Sequence, residues 1–179
     1  MNDAFTIRRL EPHDWDTYRA LRLRSLQDSP DAFGSTWAAE DALPAGHWSG
    51  RLSAAAVSGK DCPLVAEAGG TAAGLVWAKA DADNEALVNL FQMWVAPEYR
   101  GLGVAAALVR EAVAWARSRQ AQAVRLGVTC GDTPAARLYA RAGFVPVGAP
   151  EPLRDGCALL SQTMQLALTG ALAARPARP

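Results

Sequence analysis

Long apolar runs are absent from the 179-residue chain, so nothing in it reads as a membrane span. A charge excess is absent as well, with 18 Lys and Arg facing 18 Asp and Glu. No bulk field therefore favours nucleic acid or an anionic membrane, and any anion site has to be local. Histidine is scarce, with 2 residues, and the 3 cysteines, Cys62, Cys130 and Cys157, stand far apart without CxxC or Cys/His spacing. This argues against a metal site and fits small, half-buried thiols in a reducing cytoplasm. The opening "MNDAFTIRRLEP" has no apolar signal-peptide region. No G-K-[ST] occurs, which removes a nucleoside-triphosphatase phosphate loop.

What remains is an ordinary globular composition, 50% hydrophobic and 20% charged, at a length that suits one domain with a real core. The expected domain covers residues 1–168, and "TGALAARPARP" at 169–179 reads as a loose tail. "FTIRRLEP" predicts a short first strand. Asp14 is the expected cap of a helix to about Gln27, with Trp15, Tyr18, Leu21 and Leu26 near helical spacing. "DSPDAFGST" breaks it, and a second helix is expected between Trp37 and Ala56. "CPLVAEAGGTAAGLVWAKA" reads as a hairpin turning at Gly69-Gly70, followed by a longer strand, "EALVNLFQMWVAP". A helix from Gly103 to Arg119 carries an apolar stripe of Val104, Leu108, Ala112 and Trp115. "AVRLGVT" alternates as a strand. "DTPAARLYARAGF" is a short helix with Asp132 as its expected cap and Gly143 as its stop, and "FVPVG" and "CALLSQTMQLAL" supply late strands. The order β-α-α, three strands, then α-β-α-β-β defines a mixed α/β or α+β domain.

The stretch "PEYRGLGVAAALVREAV" carries the functional signal. The first turn of a helix leaves amides without partners, and the helix dipole adds positive potential there. Glycines at 101 and 103 let a ligand approach that backbone, and Arg100 can add a cation at the rim. A strand, then Arg-Gly-x-Gly-x-Ala, then a helix suits a phosphate or pyrophosphate. The same residues fit G-x-G-x-x-A, the dinucleotide fingerprint. That motif wants its glycines directly after the first strand and an acid about 20 residues on. Here Pro-Glu-Tyr-Arg intervenes, the strand is about the fourth, and residues 112–131 hold no Asp or Glu. A glycine turn that merely closes a strand–helix corner remains an alternative on these residues alone.

With its flanks, "MWVAPEYRGLGVAAALV" resembles the acyl-CoA motif of the GNAT superfamily of N-acetyltransferases, Gln/Arg-x-x-Gly-x-Gly/Ala, met by Arg100, Gly103 and Ala105. "DTPAARLYARAGF" is similar to the family's later Asn-x-x-Ala-x-x-Leu-Tyr-x-x-x-Gly-Phe segment, with Asp132 in place of the usual Asn. The likeness covers about residues 5–168 and is firmest over 87–148. It implies a mixed, mostly antiparallel sheet of six to seven strands, about four flanking helices and a splayed strand pair at the cofactor site. It further implies acetyl transfer from acetyl-CoA, as co-substrate and without metal, to a primary amine by direct attack. The acceptor would be a small molecule, an amino acid derivative or a peptide N-terminus. A non-catalytic acyl-CoA sensor of the same fold is the rival reading, and family members often form homodimers.

The resemblance assigns the pyrophosphate to Arg100, Gly101, Leu102, Gly103, Val104 and Ala105, with Asp132 as a further cofactor contact. Pantetheine would follow the strand edge at Met93, Trp94 and Val95, with the Val95 amide on the thioester carbonyl. Tyr139 would meet the CoA sulfur as a proton donor, since a phenol is a reasonable acid for an alkyl thiolate. Glu85 is a candidate general base, and water held by Asn89 or Gln92 is an equal alternative. Phe33 and Trp37 would wall the acceptor cleft, where Glu40 and Asp41 could attract a cationic amine.

Overall fold

The computed structural model describes residues 5–168, so the expected tail at 169–179 lies outside the described residues. The chain runs β1 (Thr6–Arg9), α1 (Trp15–Asp28), α2 (Trp37–Asp41), α3 (Ala45–Ser58), β2 (Asp61–Ala68), β3 (Thr71–Ala80) and β4 (Leu87–Val95). It continues with α4 (Val104–Ser118), β5 (Ala123–Thr129), α5 (Pro134–Arg141), β6 (Val145–Pro146), β7 (Glu151–Pro152) and β8 (Leu160–Ala167). Single-turn 3-10 helices at Pro12–Asp14, Pro30–Ala32 and Pro97–Tyr99 each open on proline, whose fixed φ and missing N–H suit a first helical position.

The strands form one 8-stranded sheet in the order β1-β2-β3-β4-β5-β8-β6, with β7 also on β8. Every pairing is antiparallel except β4 with β5. The mixed, mostly antiparallel architecture matches the expectation, and the two-residue strands β6 and β7 raise the strand number above it. The expected single helix between Trp37 and Ala56 is two, because Pro44 sits in extended backbone between α2 and α3. Asp14 does not cap α1. Its carboxylate accepts the Glu11 amide at 2.8 Å and two Arg8 guanidinium bonds at 2.7 and 2.9 Å, fixing the preceding 3-10 turn.

Two apolar layers sandwich the sheet. Val104, Leu108 and Ala112 of α4 are buried against one face, and Trp115 packs at the rim of that cluster. On the other face Tyr18, Leu26, Trp48 and Leu52 from α1 and α3 pack on Val65, Leu75, Trp77 and Trp94. Tyr18 is the hub of this layer, with ring centroids 5.4 Å from both Trp48 and Trp77. Gly74 lets β3, β4 and α4 close together, since a Cβ there would lie 2.7 Å from the Trp94 carbonyl and 3.3 Å from Leu108 Cδ1.

One irregularity positions the site. In β4, Gln92 has φ of 57°, a conformation rare for a residue with a side chain, and the β3 register shifts between Leu75 and Trp77. Tyr18 donates its hydroxyl to Gln92 Oε1 at 3.0 Å and so pins the bulge to α1. A bulge bends and twists its strand. The parallel ladder accordingly stops at Leu90 and Leu126, while β5 stays paired with β8 as far as Thr129 and Ser161. Beyond that point β4 and β5 diverge.

Candidate functional site

The divergence opens a cleft of about 1800 Å³ that passes through the sheet between the ends of β4 and β5. Its edge on the β4 side follows from strand alternation. The Ala96 amide bonds back to Ala73 on β3 at 2.8 Å, so the N–H and C=O of Val95 turn away from β3, towards the gap. The same alternation turns Met93 to the gap and Trp94 to β3. Of the three positions expected along this edge, Met93 and Val95 present backbone, whereas Trp94 contributes its side chain to packing and donates its indole N–H to Asp28 at 2.9 Å.

The loop after β4 borders the cleft with bare main chain. Gly101 and Gly103 have φ of +77° and +84°, in the left-handed region, and a Cβ on either would meet nothing within 4 Å. Backbone conformation therefore demands glycine here, and the space beside it is open to a ligand. Among the described residues, the amides of Gly101, Leu102, Gly103, Val104, Ala105 and Ala106 donate to no protein group. No side chain caps α4 and no acid lies in its first turn, so the positive end of the helix dipole is unanswered. These are the properties of an anion cradle.

Arg100 departs from its expected role as a free rim cation. Its Nε donates to the Val95 carbonyl at 2.9 Å and its Nη2 pairs with Asp28. Burial opposes the Asp28 charge, but hydrogen bonds from Ser29, Trp94 and Arg100 outweigh it and bring the carboxyl down to about 2. Arg100 thus ties the end of β4 to the end of α1 and shapes the loop, with its charge already answered.

Tyr139 stands where the sequence places it, on α5, lining the cleft opposite the loop and 5 % exposed. Its ring lies 5.9 Å from that of Phe144. Burial alone pushes the phenol well above its ordinary range, with no charge or hydrogen bond offsetting it. The group is a neutral acid at any working pH. Asp132 does not cap α5. Thr133 does, accepting the Ala136 amide at 3.0 Å and lining the cleft, while Asp132 pairs outward with Arg137 at 2.6 Å. Pro134 at the first helical position was the available signal, because it puts the cap one residue earlier, at 133.

On the α1 and α3 side, Phe33 lines the cleft as expected and Glu40 reaches it, but Trp37 is exposed at 39 % and lies outside the lining. Glu40 is no free acid. Arg22 holds it in a buried two-pronged pair at 2.9 and 2.6 Å. Burial raises the Glu40 carboxyl, and the Arg22 hydrogen bonds and charge outweigh that and hold it below its usual range. Asp41 pairs with Arg19 at 2.9 Å. Glu85 is displaced altogether: it sits in the loop before β4, paired with Lys60 at 2.8 Å and outside the cleft lining, so it has no access to an amine in the gap. Asn89 donates to Asp81 at 2.8 Å and Gln92 accepts from Tyr18, yet both still border the cleft. Arg51 and Arg125 border it as well and were not anticipated, since nothing in their local sequence marks them. Arg154, before β8, donates to the carbonyls of Pro30 and Phe33 at 3.0 and 2.9 Å and holds that segment in place beside the cleft.

The fold has counterparts among known proteins. At the structural level the chain superposes on an acetyltransferase of the GNAT family from Streptococcus pneumoniae with a TM-score of 0.78 and 25% identity, covering 91% of this chain and 98% of that one. It also superposes on yncA of Salmonella typhimurium, solved with its cofactor acetyl-CoA, with a TM-score of 0.78, 20% identity and coverage of 95% and 97%. In sequence it is 30% identical to a mycothiol acetyltransferase of Thermobispora bispora over an alignment of 156 positions that covers 79% of this chain but 47% of that protein. The chain thus spans about half the length of that relative. No helix among the described residues is long and apolar enough to cross a membrane. The sequence profile of the Acetyltransferase (GNAT) family matches residues 8–144, and the chain belongs to that family.

Proposed function

We propose that the protein transfers an acetyl group from acetyl-CoA to a primary amine by direct attack. The observation that carries this reading is the run of amides from Gly101 to Ala106 that donate to no protein group beside open space. In the proposed complex those amides hold the pyrophosphate, and the gap-facing backbone of Met93 and Val95 takes pantetheine as an added strand edge. The Val95 N–H donates to the thioester carbonyl oxygen as it gains negative charge. The amine nitrogen forms the new C–N bond, the C–S bond breaks, and Tyr139 protonates the departing thiolate. The amine's own proton leaves to water near Asn89 and Gln92, and returns through solvent to the Tyr139 oxygen. No acyl-enzyme is required, which suits a cleft without a nucleophile–base pair. Acceptors proposed for the site are small amines, amino acid derivatives or peptide N-termini.

Release of free thiol from acetyl-CoA across an amine panel tests this reading. Amine-dependent release is the expected outcome. Saturable CoA binding with no release on any amine would favour the rival, a non-catalytic acyl-CoA sensor.

A further inference from the structure

The acceptor half of the cleft carries a surplus of unanswered positive charge. Three arginines, Arg22, Arg51 and Arg125, border it with the carboxylates of Glu40 and Asp31; Asp28 also lines the cleft but is paired with Arg100, and Asp61, in the adjoining cavity beside Arg51, accepts from Ser58 and Trp77 instead. Arg22 is 4 % exposed, stacks over the Phe33 ring at 4.7 Å and gives two bonds to Glu40. Its third nitrogen, Nη1, is buried and bonds to no protein group. Arg51 is half-buried on α3, with its guanidinium carbon over the Trp77 ring at 4.7 Å and 6.0 Å from that of Tyr18. Among the described residues Arg51 forms no hydrogen bond and no ion pair, although its field reaches both Tyr18 and Glu40. One carboxylate therefore stands between two guanidiniums. A planar five-donor group fixed on an aromatic face with nothing to donate to is prepared for a planar anion.

Resting on the acetyl-transfer reading above, we propose that the acceptor is an amine bearing a carboxylate, and that Arg51 binds that carboxylate. The acceptor then lies over the exposed face of Phe91, next to Arg51 in the cleft wall, with its amine directed to the gap beside Val95. Arg125 on β5, whose Nε is taken by Gln165 at 2.7 Å, adds long-range attraction. A polycation is repelled by the same charges, because Glu40 is neutralised and Asp41 is paired outside the lining.

The test is calorimetric binding to CoA-saturated protein, which needs no turnover. Free L-amino acids are titrated against their C-terminal amides, with spermidine as the polycation. At least one amino acid should bind about 10-fold or more tightly than its amide, as a charge-assisted pair requires, and spermidine should bind worst. Arg51→Gln should bring acid and amide within about 2-fold, Arg51→Lys should keep part of the preference, and CoA affinity should be unchanged in both. The proposal is overturned if amides or spermidine bind as tightly as the acids, if Arg51→Gln leaves the ratio intact, or if no amino acid binds. Loss of CoA binding or of thiol release would instead count against the transfer reading, and the two failures are read separately.

Discussion

Gly103→Val is expected to lower CoA affinity by at least about 100-fold while leaving a folded protein. Two effects combine. At φ of +84° a β-branched residue is strained, at a cost of about 1–3 kcal/mol. That strain either persists, lowering the melting temperature by a few degrees, or relaxes by turning the loop amides out of line. The larger effect falls on the ligand. A side chain there meets nothing in the protein, so the volume it fills is the volume a phosphate would occupy. Each charge-assisted bond to a phosphate oxygen contributes about 1.5–3 kcal/mol, so losing two exceeds 100-fold in affinity. Circular dichroism separates misfolding from loss of the cradle. A Gly103→Val protein that binds CoA as the wild type does would contradict the role given to the loop.

Tyr139→Phe is expected to reduce kcat by about 10²- to 10⁴-fold, the usual effect of a positioned acid, with little change in CoA affinity. The phenol has no protein partner whose loss would disturb the fold, and the ring packing on Phe144 survives the substitution. The pH profile supplies a second readout. Burial disfavours the phenolate, so the folded-state value lies above the ordinary value of about 10 and the proton stays on oxygen throughout the working range. The wild-type rate should therefore show no loss on the alkaline side attributable to Tyr139 below about pH 10. A Tyr139→Phe protein with full kcat would remove Tyr139 from the chemistry.

Both predictions concern segments whose local structure is legible in the sequence. The loop and α4 announce themselves by local chemistry: glycines where φ is positive, then apolar residues at helical spacing. The Gly69-Gly70 turn and the alternation of β5 were legible for the same reason. What escaped was set by contacts distant in sequence. Nothing local tells Gln92 to adopt a positive φ, since the bulge is held by a tyrosine 74 residues away, yet that bulge is what parts β4 from β5. Trp48 is wholly buried against α1 and the sheet, in a segment expected to be helical but whose pattern marks no core face. Acids were the least readable residues. Glu40 and Asp41 look like attractants for a cation until Arg22 and Arg19 are found beside them, and Glu85 looks like a base until Lys60 is. The arginine surplus that replaces them comes from α1, α3 and β5, which only the fold assembles.

The central claim is that unpartnered main-chain nitrogens after β4 grip a diphosphate. Hydrogen exchange at individual backbone amides, with and without CoA, tests it most directly. Exchange at Gly101 through Ala106 should slow markedly on adding CoA, with the amides of α3 unaffected. Unchanged exchange across that loop, with CoA demonstrably bound, would contradict the account.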